Sequence, residues 1–148
     1  MEQAVLQICY HNRDLEKLTY IDGKSDWIDL RAAEDVVLKK GEFALISLGI
    51  SVRLPDGYEA IIAPRSSTFK RFGILQANSL GVIDESYGKE SSEDIWRFPA
   101  LAWRDTEIHV NDRIAQFRIL KHQPRIIFEE TGEMTGEARG GFGSTGVN

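Results

Sequence analysis

Between Glu42 and Ala63 the chain alternates apolar and polar residues with a period of two and then turns back on itself. Phe43 and Leu45 fall on one alternation, and Ile50, Val52 and Leu54 on the next. That period belongs to strands with one covered face. Pro55-Asp56-Gly57 supplies the turn, since Pro presets φ and Gly tolerates positive φ. Tyr58 to Ala63 then returns, so the sequence predicts a hairpin. Further strands are expected at Ala4–Cys9, Ile108–Val110, Arg113–Leu120 and Arg125–Phe128, with a turn at Asn111-Asp112. Leu15 and Leu18, within polar His11–Lys24, could support one helical turn. Many short strands, closely spaced turns and one short helix describe an all-β sandwich or barrel. From Glu129 the apolar periodicity is lost and an arm follows.

Composition narrows the function. A chain of 148 residues is most simply one domain with a real core. Its 18 basic and 23 acidic residues leave a net charge of −5. That disfavours a general nucleic-acid binder and leaves local basic clusters as candidate anion sites. The single cysteine, Cys9, excludes an internal disulfide framework and a multi-cysteine metal site. No apolar run reaches transmembrane length and no signal-peptide pattern is present, so a cytoplasmic protein is expected.

Five stretches carry chemistry. In Ser25-Asp26-Trp27-Ile28-Asp29-Leu30-Arg31, Asp29 is flanked by apolar residues, as on a strand that points one carboxylate away from its neighbours; it could equally be a solvated edge carboxylate. Arg65-Ser66-Ser67 precedes a short helix ending near Gly73, which offers either an anion site or an ordinary cap. In Asn78-Ser79-Leu80-Gly81-Val82-Ile83-Asp84-Glu85-Ser86-Tyr87, Gly81 permits a tight bend and Val82-Ile83 reads as a buried strand. Asp84 and Tyr87 follow it. A carboxylate there can orient a water, and an aromatic can floor a sugar, though a turn cap and a core tyrosine would look the same. Gln116 lies in Arg113-Ile114-Ala115-Gln116.

The last stretch is Arg139-Gly140-Gly141-Phe142-Gly143-Ser144-Thr145-Gly146. Its glycines bare backbone N–H groups, Ser144 and Thr145 add hydroxyls, and Arg139 adds a forked cation. Gly141, Gly143 and Gly146 match GxGxxG, but only two residues follow, so the helix that a dinucleotide fingerprint needs has no room. Phe142 stands where a Walker A loop needs Lys. The segment is either a floppy tail or a flap over a nucleoside polyphosphate.

Taken together and in order, these stretches resemble the five motifs of the trimeric dUTP diphosphatase (dUTPase) family, in detail the enzymes of Gram-positive bacteria and their phages. The resemblance runs from Asp26 to Gly146. It implies a jelly-roll-like β-barrel subunit with one short helix, residues 1–128, and a mobile C-terminal arm, residues 129–148, carrying the fifth motif. It implies a homotrimer in which the arm of one subunit covers a site built by the other two. The implied reaction is Mg2+-assisted hydrolysis of dUTP to dUMP and pyrophosphate by water attack at the α-phosphorus, which keeps uracil out of DNA and supplies dUMP for thymidylate synthesis.

Carried onto this chain, the resemblance implies that Asp29 helps hold Mg2+ through water. Arg65, Ser66 and Ser67 would bind phosphate, and Gln116 would lie near the phosphates as part of the catalytic set. Asn78 falls at the uracil-contacting position, with Gly81 and Ile83 in the same substrate-binding hairpin. Asp84 would orient the attacking water, and Tyr87 would leave no room for a ribose 2′-hydroxyl. Arg139 would be the arginine finger, Phe142 the lid over uracil, and Gly143, Ser144 and Thr145 donors to the terminal phosphate. Trp27-Ile28 replaces the usual glycine-containing turn before Asp29, and Arg71 stands where lysine is usual. The segment from Lys89 to Trp103 is longer and richer in aromatics than in the shortest members, which makes Trp96 a secondary lid candidate beside a core role.

Two rival functions remain. dCTP deaminase shares the fold and an arginine-serine second motif, but it needs a buried glutamate, and Glu90 and Glu93 lie in a polar stretch. A dUTP-responsive regulator would bind a protein partner through an 88–105 loop.

Overall fold

The computed structural model describes residues 2–21 and 23–143. The order of elements is β1 (Gln7–Tyr10), β2 (Ile28–Arg31), β3 (Val36–Leu38), β4 (Phe43–Ser47), β5 (Ile50–Arg53), β6 (Tyr58–Pro64), α1 (Thr68–Phe72), β7 (Ile74–Gln76), β8 (Gly81–Ile83), β9 (Arg97–Ala102), β10 (Thr106–Ile108) and β11 (Arg113–Lys121). All pairings are antiparallel. The largest sheet runs β2-β11-β6-β8, a second runs β4-β9-β7, and β1-β5 and β10-β3 form two-stranded ribbons. Strands near in sequence lie in different sheets, as in a jelly roll. No helix among the described residues is long and apolar enough to cross a membrane.

The hairpin expected across Pro55-Asp56-Gly57 does not form. The turn exists, with Gly57 at φ 84° and the Tyr58 N–H donating to the Pro55 carbonyl at 3.2 Å. Its two arms nevertheless part company: β5 pairs with β1, while β6 pairs with β11 and β8. The reason is burial. Ile50, Ser51 and Val52 are all buried, so β5 is covered on both faces and cannot serve as half of a one-sided hairpin. A tight turn fixes where the chain reverses, not which strand it meets. The same crossing recurs at Leu48-Gly49. A Cβ on Gly49 would lie 2.5 Å from the Ala33 Cβ, and its φ of 69° is a glycine conformation.

Other boundaries also move. β1 starts at Gln7 rather than Ala4, and β10 ends at Ile108, leaving Val110 in the turn. Leu15 is buried at the end of a single hydrogen-bonded turn, its N–H donating to the Asn12 carbonyl at 3.2 Å, and no turn follows to Leu18. Val82, expected inside, is exposed. The segment 88–105 is no single loop. Residues 88–96 are laid on β5 by the Ser51 hydroxyl donating to the Ser92 carbonyl and by Arg53 Nε donating to the Lys89 carbonyl, and β9 follows. No strand forms over 125–128: Ile126, Ile127 and Phe128 are exposed, and every described residue from Lys121 on is exposed.

The core gathers one face of each sheet. Leu30, Ala115, Phe117 and Ile62 cross the large sheet on its inner side, and Phe98 and Ala100 face them from β9. Trp96 is fully buried and meets Phe117 edge-on, with ring centroids 5.1 Å apart. Alternation along β2 and β11 therefore sends Asp29 and Gln116 to the outer face.

Candidate active site

Two groups of polar residues lie on this scaffold. The first is a charged niche on the outer face of the large sheet. Asp29 stands opposite Gln116, and Gln116 opposite Ala63, in one row across three strands. The Asp29 carboxylate meets Arg65 Nε at 3.2 Å and Arg113 Nη1 at 3.4 Å. Arg65 also donates to the Arg113 carbonyl at 3.2 Å. Gln116 Nε2 donates to the Pro64 carbonyl at 3.1 Å, which restrains the side chain.

Local sequence builds the corner below this niche. The Arg65 backbone N–H donates to Thr68 Oγ1 at 2.8 Å, and that hydroxyl donates to the Ile114 carbonyl at 2.9 Å. Thr68 is fully buried, so one side chain ties the Arg65 corner, α1 and β11 together. Ser67 occupies the N-cap position of α1 but makes no side-chain cap bond, and Ser66 is exposed. Both hydroxyls are available to a ligand. Gly73 closes α1 in the left-handed conformation, φ 64°.

The second group lines an open, mainly apolar cleft of about 520 Å³. Asn78, Ile83, Asp84 and Tyr87 share it with Phe43, Leu45 and Trp96. The bend is held by the Ser79 N–H donating to the Gln76 carbonyl at 3.0 Å, with Ser79 at φ 62°. Gly81 lies against β6, where a Cβ would come 3.1 Å from that of Ile62. The Tyr87 hydroxyl donates to the Ile95 carbonyl at 3.1 Å, which stands the ring along the cleft wall. Trp96 lines the cleft yet is wholly buried, which makes it part of the wall rather than a movable lid.

The two groups are not together within one chain. Asp84 follows β8, in register four residues along from the Asp29 row and three strands across. Strand spacing and rise put the two positions roughly 20 Å apart. A family model for dUTPase matches residues 24–146. The chain belongs to the dUTPase family.

Among its relatives, the SPbeta prophage-derived deoxyuridine 5'-triphosphate nucleotidohydrolase YosS of Bacillus subtilis (strain 168) is 56% identical over 124 residues, covering 84% of this chain and 86% of that protein. The deoxyuridine 5'-triphosphate nucleotidohydrolase of Neorickettsia sennetsu is 40% identical over 150 residues, covering 99% and 98%. The fold is similar to a mutant dUTPase from phage phi11 of S. aureus, described with a structural Mg(II) ion, at TM-score 0.74 and 17% identity over 86% of this chain and 97% of that one. It is also similar to the Staphylococcus bacteriophage 80alpha dUTPase with dUPNHPP, described as controlling transfer of virulence genes by a G protein-like mechanism. That match has TM-score 0.72 and 22% identity over 97% and 99% of the two chains.

In this dUTPase, Arg139 and Phe142 are exposed, and Gly143 closes the described stretch at φ 83°. Ser144 and Thr145 lie outside the described residues. Arg113 and Thr68 went unassigned in the sequence. Arg113 carried no signal beyond opening a strand, and only pairing over 84 residues brings it to Asp29. The described residues hold no cluster of three His, Cys, Asp or Glu side chains suited to a metal. The niche offers a single carboxylate, Asp29, and a site for Mg2+ can be built on as few as one or two, because that ion keeps several waters.

Proposed function

We propose that this dUTPase hydrolyses dUTP to dUMP and pyrophosphate, and that it works as a homotrimer with sites completed between subunits. The observation that carries the reading is the cleft that gathers Asn78, Ile83, Asp84 and Tyr87 in a chain of this family. Asn78 and the bend through Gly81 and Ile83 meet the base. Tyr87 stands against the deoxyribose, where an added 2′-hydroxyl would clash. The Asp84 carboxylate orients a water and takes its proton during attack on the α-phosphorus.

Arg65, Ser66, Ser67 and Gln116 hold the phosphates, with Asp29 placed to contact Mg2+ through water. When bound, that ion would neutralise charge on the triphosphate. The arm, residues 129–148, brings Arg139 to the phosphates, Phe142 over the base, and Gly143, Ser144 and Thr145 to the terminal phosphate, excluding water only when substrate is present. The separation of Asp29 and Asp84 supports assembly, because a triphosphate cannot span it within one chain. Exposed Phe43, Leu45, Val82 and Ile127 supply apolar surface for contact. A cytoplasmic setting fits the substrate.

Pyrophosphate release from dUTP, UTP, dTTP and dCTP, with Mg2+ and with EDTA, tests the reading, alongside light scattering for a mass three times that of the chain. Fast, Mg2+-dependent turnover of dUTP alone by a trimer is expected. Ammonia release from dCTP would instead place the chain with the deaminases.

The 88–105 segment also supports a second, regulatory reading, favoured by Arg97 and Trp103, both exposed, at the start of β9 and just past its end. A Trp103→Ser variant with full turnover but lost dUTP-dependent binding to a protein partner is the expected signature; equal binding by both would remove this reading.

A further inference from the structure

Gln76 is one of few buried polar side chains among the described residues, at 7% exposure. It sits on β7, two residues before Asn78. Its Nε2 donates to the Ile62 main-chain carbonyl at 3.0 Å and to Asn78 Oδ1 at 3.0 Å. Its own oxygen is buried with no hydrogen-bond partner. These contacts settle both amide orientations. A main-chain carbonyl only accepts, so the Gln76 nitrogen must face Ile62. With that nitrogen a donor, Asn78 must turn its oxygen inward. The two N–H groups of Asn78 Nδ2 are then left for the cleft that Asn78 lines.

We propose that Gln76 is a positioning residue that sets Asn78 as a donor toward the base and thereby selects uracil over cytosine. The inference rests on the reading that Asn78 meets the base. At ring position 4, uracil carries a carbonyl and cytosine an amino group. A donor fixed in place bonds the first and faces two further N–H groups on the second. An asparagine free to rotate would accept from cytosine equally well. A leucine at position 76 would fill the same space without burying an unpaired oxygen, so the amide nitrogen is the part that has work to do. The backbone agrees: the Gln76 carbonyl also holds the Ser79 N–H, so one residue fixes both the bend and the side chain upon it. Gly81 leaves the amide its room, since a Cβ there would come 3.4 Å from Gln76 Nε2.

The test compares kcat/KM for dUTP, dCTP and UTP in wild type, Gln76→Leu, Asn78→Ala and the double variant. Gln76→Leu is expected to lower the dUTP-to-dCTP ratio about tenfold. The loss for dUTP should lie in KM with kcat kept, because the base is remote from the reacting phosphorus. The double variant should lose no more than Asn78→Ala alone. Discrimination against UTP should not change. An unchanged dCTP ratio in Gln76→Leu, with the ratio lost in Asn78→Ala, overturns the role of Gln76 and leaves that of Asn78. A ratio kept in Asn78→Ala removes the base contact and the proposal with it. Selectivity lost against UTP and dCTP alike marks a loosened cleft and also overturns it. One readout needs no Gln76 variant: the Asn78 side-chain amide of the nucleotide-free enzyme should relax as slowly as the backbone by NMR, and a mobile amide would sink the idea.

Discussion

The charged niche and the apolar cleft hold their polar groups in opposite ways. In the niche the single carboxylate of Asp29 is shared by Arg65 and Arg113, leaving one net positive charge, with the Asp29 side chain only 13% exposed. In the cleft Asp84 is exposed beside apolar walls. A phosphate entering the niche must therefore exchange one partner of Arg65 for another, a small net gain at a partly exposed ion pair. A water entering the cleft meets a carboxylate already open to it. Residues of the niche should accordingly act on binding, and Asp84 on the chemical step.

The largest effect expected from that contrast is at Asp84. Asp84→Asn keeps shape and hydrogen-bonding reach but cannot take a proton. Its kcat should fall about 10²- to 10⁴-fold, the usual worth of a positioned general base. Binding of a non-hydrolysable dUTP analogue should be nearly unchanged. A comparable loss of analogue affinity would erase the division between the two regions.

Arg113→Ala probes the other side with a smaller effect. Arg113 shares Asp29 with Arg65, so its removal leaves that carboxylate to bind Arg65 alone and more firmly. A pair this exposed is worth about 0.2–1 kcal/mol, so KM for dUTP should rise about two- to fivefold at most. The rise should shrink with added salt, and kcat should hold. A fall in kcat with KM constant would place Arg113 in the chemistry instead.

The two regions also differ in how much of them the sequence disclosed. Asn78, Asp84 and Tyr87 lie within ten residues, and one bend brings them to one cleft; their residue types left a turn cap and a core tyrosine open, and the family resemblance singled them out. Asp29, Arg65 and Gln116 were legible as motif members, but their mutual contacts were not. Those depend on β11 lying between β2 and β6, a pairing of strands far apart in the chain. The failed hairpin at Pro55-Asp56-Gly57 has the same origin: turn chemistry is local, whereas the choice of partner is decided by which faces are buried. Arg125–Phe128 failed for a different reason. Its apolar residues have β-strand composition, but among the described residues no strand pairs with them, and Ile127 and Phe128 stay exposed. Gln76 was invisible because its role depends on a carbonyl of another strand, Ile62.

The smallest expected effect concerns Glu85, which ties the Asp84 turn to the rest of the subunit. Its carboxylate accepts the Gly57 N–H at 2.7 Å and lies 3.3 Å from Lys89 Nζ. The Gly57 N–H first, then Lys89, hold its pKa below the ordinary glutamate value. A carboxyl lowered on folding adds stability that is fully present above its unfolded pKa of about 4.3 and is lost as pH falls through the lower folded value. Glu85→Gln keeps an acceptor for Gly57 but removes the charge. The difference in Tm between wild type and Glu85→Gln should thus be constant from pH 5.5 down to about 4.5 and narrow below it. Because the niche is held by separate pairs on β2, on β11 and at Arg65 just after β6, Arg113→Ala should leave that narrowing intact. Were the two variants to change each other's acid profile, the niche and the cleft would be one electrostatic unit rather than two.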